Sequence, residues 1–415
     1  MSFIGKQMSF SVFAPSRASL ISTPYSFTVS ASQVEVSDAR FLDIPNDGFA
    51  VVNADIDIGA DYINYRIDDR LYVNFSTGIF NGYVIADSAG SIADIVSARI
   101  DAASTSLAIG QPRVTHTADE VAVNVSGISF RNGDSMQIII GFRLSGDNTA
   151  NTLTGMRGDD IINGFAGNDT IFGNSGSDTI NAGDGIDTVY GGDGDDSILD
   201  TSGVSSILSG DGGNDIIYGG SGNDYIVGGD GNDVLVGMSG QDSLYGGLGD
   251  DYMVAGGFSG SVLDGGMGNN SLWGGDGNDY AVGGEGQDVI VTGGGSDYIF
   301  GLSGNDSIYA GNGTDYIYSN DGDDFIYTDN LGYSYIDYVY VGAGTGKDVI
   351  VDFTPGANGD VLVLPALATG YYTFANVAPH ISAFGIYSRI QIGIDEVYLY
   401  NVAPQSLTSS NFLFL

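Results

Sequence analysis

Apolar residues in this chain keep one period over residues 1–145, a second over the middle of the sequence, and neither at the end. In the first stretch they alternate with polar residues, as in "ADIDI" (Ala54–Ile58), "YINYRI" (Tyr62–Ile67), "RLYVNF" (Arg70–Phe75), "VAVNVSGISF" (Val121–Phe130) and "MQIIIGFRL" (Met136–Leu144). Period-two patterning punctuated by Asn-Gly and Asp predicts antiparallel strands, and strands at this spacing predict a β-sandwich. "SIADIVSARIDAAS" (Ser91–Ser104) reads as a short helix. Over 146–351 the period is nine, with an apolar eighth place and Asp in the sixth, in blocks such as "GFAGNDTIF", "GNSGSDTIN" and "SNDGDDFIY". The sixth-place residues are Asp160, Asp169, Asp178, Asp187, Asp196, Asp215, Asp224, Asp233, Asp242, Asp251, Asp279, Asp288, Asp297, Asp306, Asp315 and Asp324. Residues 352–415 lose the period and read as strands with turns between them, a cap for what precedes.

The last three places of a block, such as Tyr225-Ile226-Val227, suit a three-residue strand whose middle side chain faces the core. The Gly, Asn and Asp that follow make a corner, and Gly supplies the positive φ a corner needs. Two blocks then close one coil of a parallel β-roll, and coils stack at a strand spacing of roughly 4.8 Å. Stacking sets the sixth-place Asp residues in two columns, one through Asp160, Asp178, Asp196, Asp215, Asp233 and Asp251, the other including Asp279, Asp297 and Asp315. Carboxylates that close repel one another unless a cation lies between them. Carboxylate and carbonyl oxygens are hard ligands that suit Ca²⁺. The predicted class is therefore all-β: an N-terminal β-sandwich, a calcium-binding β-roll and a C-terminal β cap.

The blocks "GGSGNDYIV" (Gly219–Val227), "GGDGNDVLV" (Gly228–Val236), "GGDGNDYAV" (Gly274–Val282) and "GLSGNDSIY" (Gly301–Tyr309) resemble the GGxGxDxUx nonapeptide of the RTX family. That resemblance implies several bound Ca²⁺ ions, with the sixteen Asp residues as ligands. "GAGTGKDVIVDFTPGANGDVLVL" (Gly342–Leu364) is similar to the segment closing such rolls, and "SLTSSNFLFL" to their C-terminal export signal. Export through type I secretion from a Gram-negative-type bacterium, without an N-terminal signal peptide, is what the resemblance implies. Three blocks depart from the pattern. "DTSGVSSIL" (Asp200–Leu208) and "AGGFSGSVLD" (Ala255–Asp264) lack the sixth-place Asp, and "GGMGNNSLW" has Asn270 there. Calcium sites beside them are expected to be weak or missing, and Asp200 reads as a solvated surface acid.

Composition narrows the function. With 52 acidic against 12 basic residues and a net charge of −40, the chain is not expected to bind nucleic acid. Hydrophobic residues make up 42%, with 25 Tyr and 20 Phe, enough for an ordered core despite the charge. No cysteine is present, so an exported form would draw rigidity from bound metal rather than disulfides. No segment suits membrane insertion. The two histidines, His116 and His380, form no H-E-x-x-H, and no G-x-S-x-G occurs. Paired carboxylates of the glycosidase kind stay open among so many acids, but an enzyme is not expected.

Outward seventh places on one face run Tyr225, Ser243, Val262, Tyr280, Tyr298, Tyr316, and ninth places run Val227, Tyr245, Asp264, Val282, Phe300, Tyr318. Such ladders serve cross-strand packing, or, as a continuous apolar face, a partner. The expectation is a secreted, calcium-dependent structural protein at the cell surface. It would self-assemble into a surface layer or filament, with an outer-membrane polysaccharide or other surface glycan as a further partner. The alternative is an adhesin whose N-terminal sandwich holds a ligand.

Overall fold

The computed structural model describes residues 141–329, 335–341, 346–364, 370, 372–393 and 395–415, and before them the backbone of the strands from Gln7 to Ile140. The chain divides into two compact units, one of residues 1–146, 152–163 and 171–180, the other of the remainder.

In the first unit, the described strands pair into two larger antiparallel sheets and a two-stranded ribbon of Val73–Asn74 with Ser129–Phe130. One runs in the order Tyr25–Thr28, Gln7–Phe13, Gly82–Asp87, Glu120–Asn124, Val114–Thr117. In the other, Ser135–Ser145 pairs with Tyr62–Ile67 and Ile95–Ile100, and Asn53–Ile58 joins Val34–Arg40 to Tyr62–Ile67. The helix expected at Ser91–Ser104 is thus a strand, Ile95–Ile100. Its Ala content favours a helix locally, but its backbone gains partners from Ser135–Ser145 in a sheet, and pairing overrides propensity. The packing of the two sheets into a sandwich concerns side chains outside the described residues. Strand Ser135–Ser145 ends by pairing in parallel with Ile161–Asn163, where the nine-residue period begins.

That period builds a parallel β-solenoid of about 11 turns over residues 143–340. Each strand alternates: Tyr225 is exposed, Ile226 buried and Val227 half-buried. The eighth-place residues are the core, with Ile198, Leu208, Ile217, Ile226, Leu235, Ile290 and Ile317 all 0% exposed. Burying each is worth about 1.5–3 kcal/mol against an exposed side chain. Strands run longer than three residues on one sheet, because the opening places of the next block also pair: Gly229 lies opposite Gly247 and Asp230 opposite Leu248.

The block read as Asp200–Leu208 is one residue longer than its neighbours. Ile207 is 48% exposed and Leu208 is the core residue, so Ser206 falls in the sixth place. The stacking continues into the tail. Tyr338–Tyr340 pairs with Val361–Leu364, which pairs with Phe412–Phe414. On the other sheet Lys347–Ile350 pairs with Asp395–Tyr400, and there the pairing turns antiparallel, through Tyr387–Ile392 to Ile381–Phe384. No helix among the described residues is long and apolar enough to cross a membrane.

Candidate metal centre

Each sixth-place Asp sits where a corner enters a strand, and the apolar residue two places on pulls that strand into the core. All sixteen of these Asp residues are at most 2% exposed. Their Oδ1 atoms repeat one contact, accepting a hydrogen bond from the backbone N–H of the sixth-place residue one coil earlier. In the first unit Asp178 accepts from Asp160 at 2.7 Å, and Asp160 accepts from Phe142. In the second unit one column links Asp196 to Asp215, Asp233 and Asp251, then passes through Asn270 to Asp288, Asp306 and Asp324. The other links Asn151 to Asp169 and Asp187, then Ser206, Asp224, Asp242, Ser261, Asp279, Asp297 and Asp315. Two columns therefore run as stacking of the coils requires, and the coils that lack Asp keep the hydrogen-bonded link with Ser or Asn.

Oδ2 has a different environment. In Asp215, Asp233, Asp279 and Asp306 it is buried with no hydrogen-bond donor. It points at the first-place glycine. A Cβ on Gly210 would lie 2.1 Å from Asp215 Oδ2 and 2.7 Å from the Gly228 carbonyl oxygen one coil on. At Gly228 the corresponding distances are 2.2 Å to Asp233 Oδ2 and 2.7 Å to Gly246 O. A carboxylate oxygen and a carbonyl oxygen thus converge on a space kept open by the missing side chain, with no donor to satisfy the carboxylate oxygen.

Burial acts on these groups as expected for carboxylates out of water. Asp215 is pushed up to about 7 by burial, with the Asp233, Asp195 and Asp211 charges adding to it. Asp279 and Asp315 are likewise raised to about 7, by burial first and then by Asp297. A hard cation answers all three features, supplying charge to the carboxylate, a partner to Oδ2 and a use for the carbonyl. The donor set is all oxygen, which fits Ca²⁺ and excludes a thiolate or imidazole site. Asp from one coil and the corner carbonyls of its neighbour would hold the ion.

Asn270 shows the contrast. Its Nδ2 donates to Gly283 O at 3.3 Å and to Gly268 O at 3.4 Å, so an amide hydrogen fills the place a cation would take. Asp200 is not a solvated acid. It is 1% exposed, accepts from Ser202 N–H at 2.6 Å and is raised by burial, because it ends the strand Ser197–Asp200 on the inward side of its alternation.

Both columns also extend beyond the sixteen. Asp315 N–H donates to Asp337, 22 residues on, and Asp337 N–H to Asp360; Asp324 N–H donates to Asp348, 24 residues on. The lengthened turns broke the nine-residue count. The signal that survives is the Asp-x-apolar core of the block, in "DYVY" (Asp337–Tyr340), "DVIV" (Asp348–Val351) and "DVLV" (Asp360–Val363).

Residues 145–180, 172–199, 205–235, 227–262, 256–290, 264–299 and 291–326 match the family described as RTX calcium-binding nonapeptide repeat. Among solved structures, the extracellular lipase LipA from Serratia marcescens is similar at 16% identity and a TM-score of 0.20. The likeness covers 62% of this chain and 45% of that one. No protein of curated function matches.

Proposed function

The repeats of this chain belong to the RTX calcium-binding nonapeptide family, and on that premise we propose a secreted, non-catalytic structural protein that self-assembles when calcium orders its roll. The supporting observation is the outer face of one sheet. Tyr298 stacks on Tyr316 at 4.7 Å between ring centroids, and Tyr316 on Tyr338 at 5.1 Å. Beside them Phe300 stacks on Tyr318 at 4.7 Å, and Tyr318 on Tyr340 at 3.8 Å. The two rows are one strand spacing apart from rung to rung, so they form a rigid aromatic plate with little side-chain entropy left to lose on contact. Tyr280 and Tyr298 keep 45% of their surface exposed, and Trp273 on the other sheet keeps 41%. A second copy, in a surface layer or an extracellular filament, is the partner this reading assigns to the plate.

Electron microscopy of the purified chain with millimolar calcium and with chelator tests the reading. Ordered arrays or filaments are expected only with calcium, and Tyr298→Asp with Phe300→Asp should abolish them, because burying unpaired carboxylates against an apolar face is costly. The core residue between them, Ile299, is untouched, so far-UV circular dichroism and calcium loading should persist. Arrays from the double variant would move the contact elsewhere. No arrays from the unsubstituted chain would replace self-assembly with ligand binding as the role.

A further inference from the structure

Where the roll meets its tail, one corner differs from the nonapeptide corners in its length and in the carboxylates it gathers. Its second place holds an acid, Asp329, and the turn from Thr328 to Asp337 is lengthened so that Asp337 still reaches the column. One coil on, Asp360 takes the same column position. One carboxylate oxygen from each of Asp329, Asp337 and Asp360 lies within 4.8 Å of the others. A nonapeptide corner brings one sixth-place carboxylate to its site; this corner brings three.

Asp337 and Asp360 are 0% exposed. Asp360 is partly provided for, since its Oδ2 accepts from Thr354 N–H at 2.7 Å and its Oδ1 from Asp337 N–H at 3.2 Å. Asp337 is not. Its Oδ1 accepts from Asp315 N–H at 2.8 Å, while its Oδ2 is buried with no donor at all. The charges acting on the group are negative: Asp315, Asp352 and the three acids themselves. Asp352 lies alongside, and its oxygens are engaged by the N–H groups of Thr328 and Asp329 at 2.8 and 3.1 Å. A fully buried oxygen with no donor, among like charges only, is a cost the fold bears unless a cation offsets it.

We propose that Asp329, Asp337 and Asp360 form a calcium site outside the nonapeptide repeats, one that fills before the repeat sites and fastens the last coils of the roll to the tail. Oxygens within 4.8 Å of one another can share an ion at the 2.3–2.6 Å typical of Ca²⁺–O contacts, and affinity rises with the number of ligand charges. Three carboxylates on one ion put this site at the tight end of the chain's range.

Calorimetric titration of the full chain with calcium chloride, alongside a count of bound calcium, reads the site. The unsubstituted chain should show a tight phase ahead of the rest. Asp329→Asn should weaken that phase by about tenfold or more and leave the later phases in place. Asp264→Asn, a half-buried ninth-place acid, should change neither. Unchanged tight binding in Asp329→Asn overturns the proposal. Hydrogen exchange on the unsubstituted chain gives a second, variant-free reading, at a calcium level that fills only the tight phase. Residues 335–341 and 346–364 should gain protection first, and earlier protection of residues 205–326 overturns the proposal. Failure of 205–326 to gain protection at any calcium level would count against the calcium-ordered roll instead, and leave protection at the junction as a separate result.

Discussion

Asn270 is a substitution the chain has already made, and it separates the two oxygens of a sixth-place Asp. Its Oδ1 still accepts from Asp251 N–H at 3.0 Å, while Nδ2 turns to the carbonyl of Gly283. Asp233→Asn should repeat this, because Asp233 Oδ2 and Gly246 O converge on Gly228 in the same way. The expected outcome is loss of bound calcium at its corner and, in chelator, a roll more stable than the parent by about 1–3 kcal/mol, the cost of an unsatisfied buried group. Calcium counting and thermal unfolding in chelator check both halves, and undiminished calcium would remove Oδ2 from the ligand set. Asp200→Ala should be costly in its own right, by about 1–3 kcal/mol. It would strip the buried Ser202 N–H of its acceptor, while Ser202 Oγ keeps the Val204 carbonyl. Denaturant unfolding measures this, and a silent substitution would contradict the buried placement.

At the scale of the corner, the second and fourth places make unequal demands. Fourth-place Gly295 has φ +129°, and a Cβ there would lie 2.1 Å from the Gly277 carbonyl oxygen of the coil before. Backbone blocks it and L side chains avoid that φ, so Gly295→Ala should open the neighbouring coils. Second-place Leu302 sits at φ 75°, a left-handed conformation that asparagine and leucine adopt at a cost. Leu302→Gly should therefore stabilise the calcium-loaded roll, by about 1 kcal/mol. Paired melting curves decide between these opposite signs, and equal losses would mean that the two places are alike. The same corners show how far sequence reading reaches. Roll, strand polarity and both columns follow from the period, because an apolar eighth place and Asp in the sixth leave one packing. Asp337, Asp348 and Asp360 escaped it, because counting in nines fails once a loop lengthens, although their strands keep the Asp-x-apolar order. Ser206 escaped for the same reason, since one added residue in its turn moves the core position from Ile207 to Leu208. Asp329 had no signal: only the folded turn brings it to Asp337 and Asp360.

For the molecule as a whole, calcium and folding of the roll should be one equilibrium, because an ion that binds only the folded state stabilises it by mass action. Circular dichroism should show β-structure growing as calcium is added at neutral pH. Metal-free chain should also answer to pH, with a definite sign. Burial raises Asp215, Asp224, Asp251, Asp279, Asp306 and Asp315 from 3.8 to about 7 in the fold. The folded state then holds protons that the unfolded chain has shed, so stability is greatest below 3.8 and falls as pH rises towards 7. In chelator, β-structure should therefore be richer at pH 5 than at pH 8. Calcium affinity should move the other way and weaken on acidification, as protons compete for the same oxygens. A pH-independent spectrum in chelator would contradict the assignment of these carboxylates.

Both columns share one grain. Every N–H in them belongs to the earlier coil and every accepting side chain to the later one, from Asn151 and Asp169 at one end to Asp337 and Asp360 at the other. The stack is thus a polar rail, like a filament with unlike tips. Its leading tip needs no donor from an earlier coil, since Asn151 Oδ1 accepts from Asp147 N–H at 2.7 Å. Its trailing tip ends in a donor, and the tail plugs it: Asp360 N–H donates to the Thr354 carbonyl at 2.8 Å. Assembly seeded at that plug would advance like a ratchet towards the start of the chain, each new coil delivering its N–H to a carboxylate already in place. Loss of the plug would accordingly be felt backward along the rail, while a coil lost at the start would leave its neighbours closed.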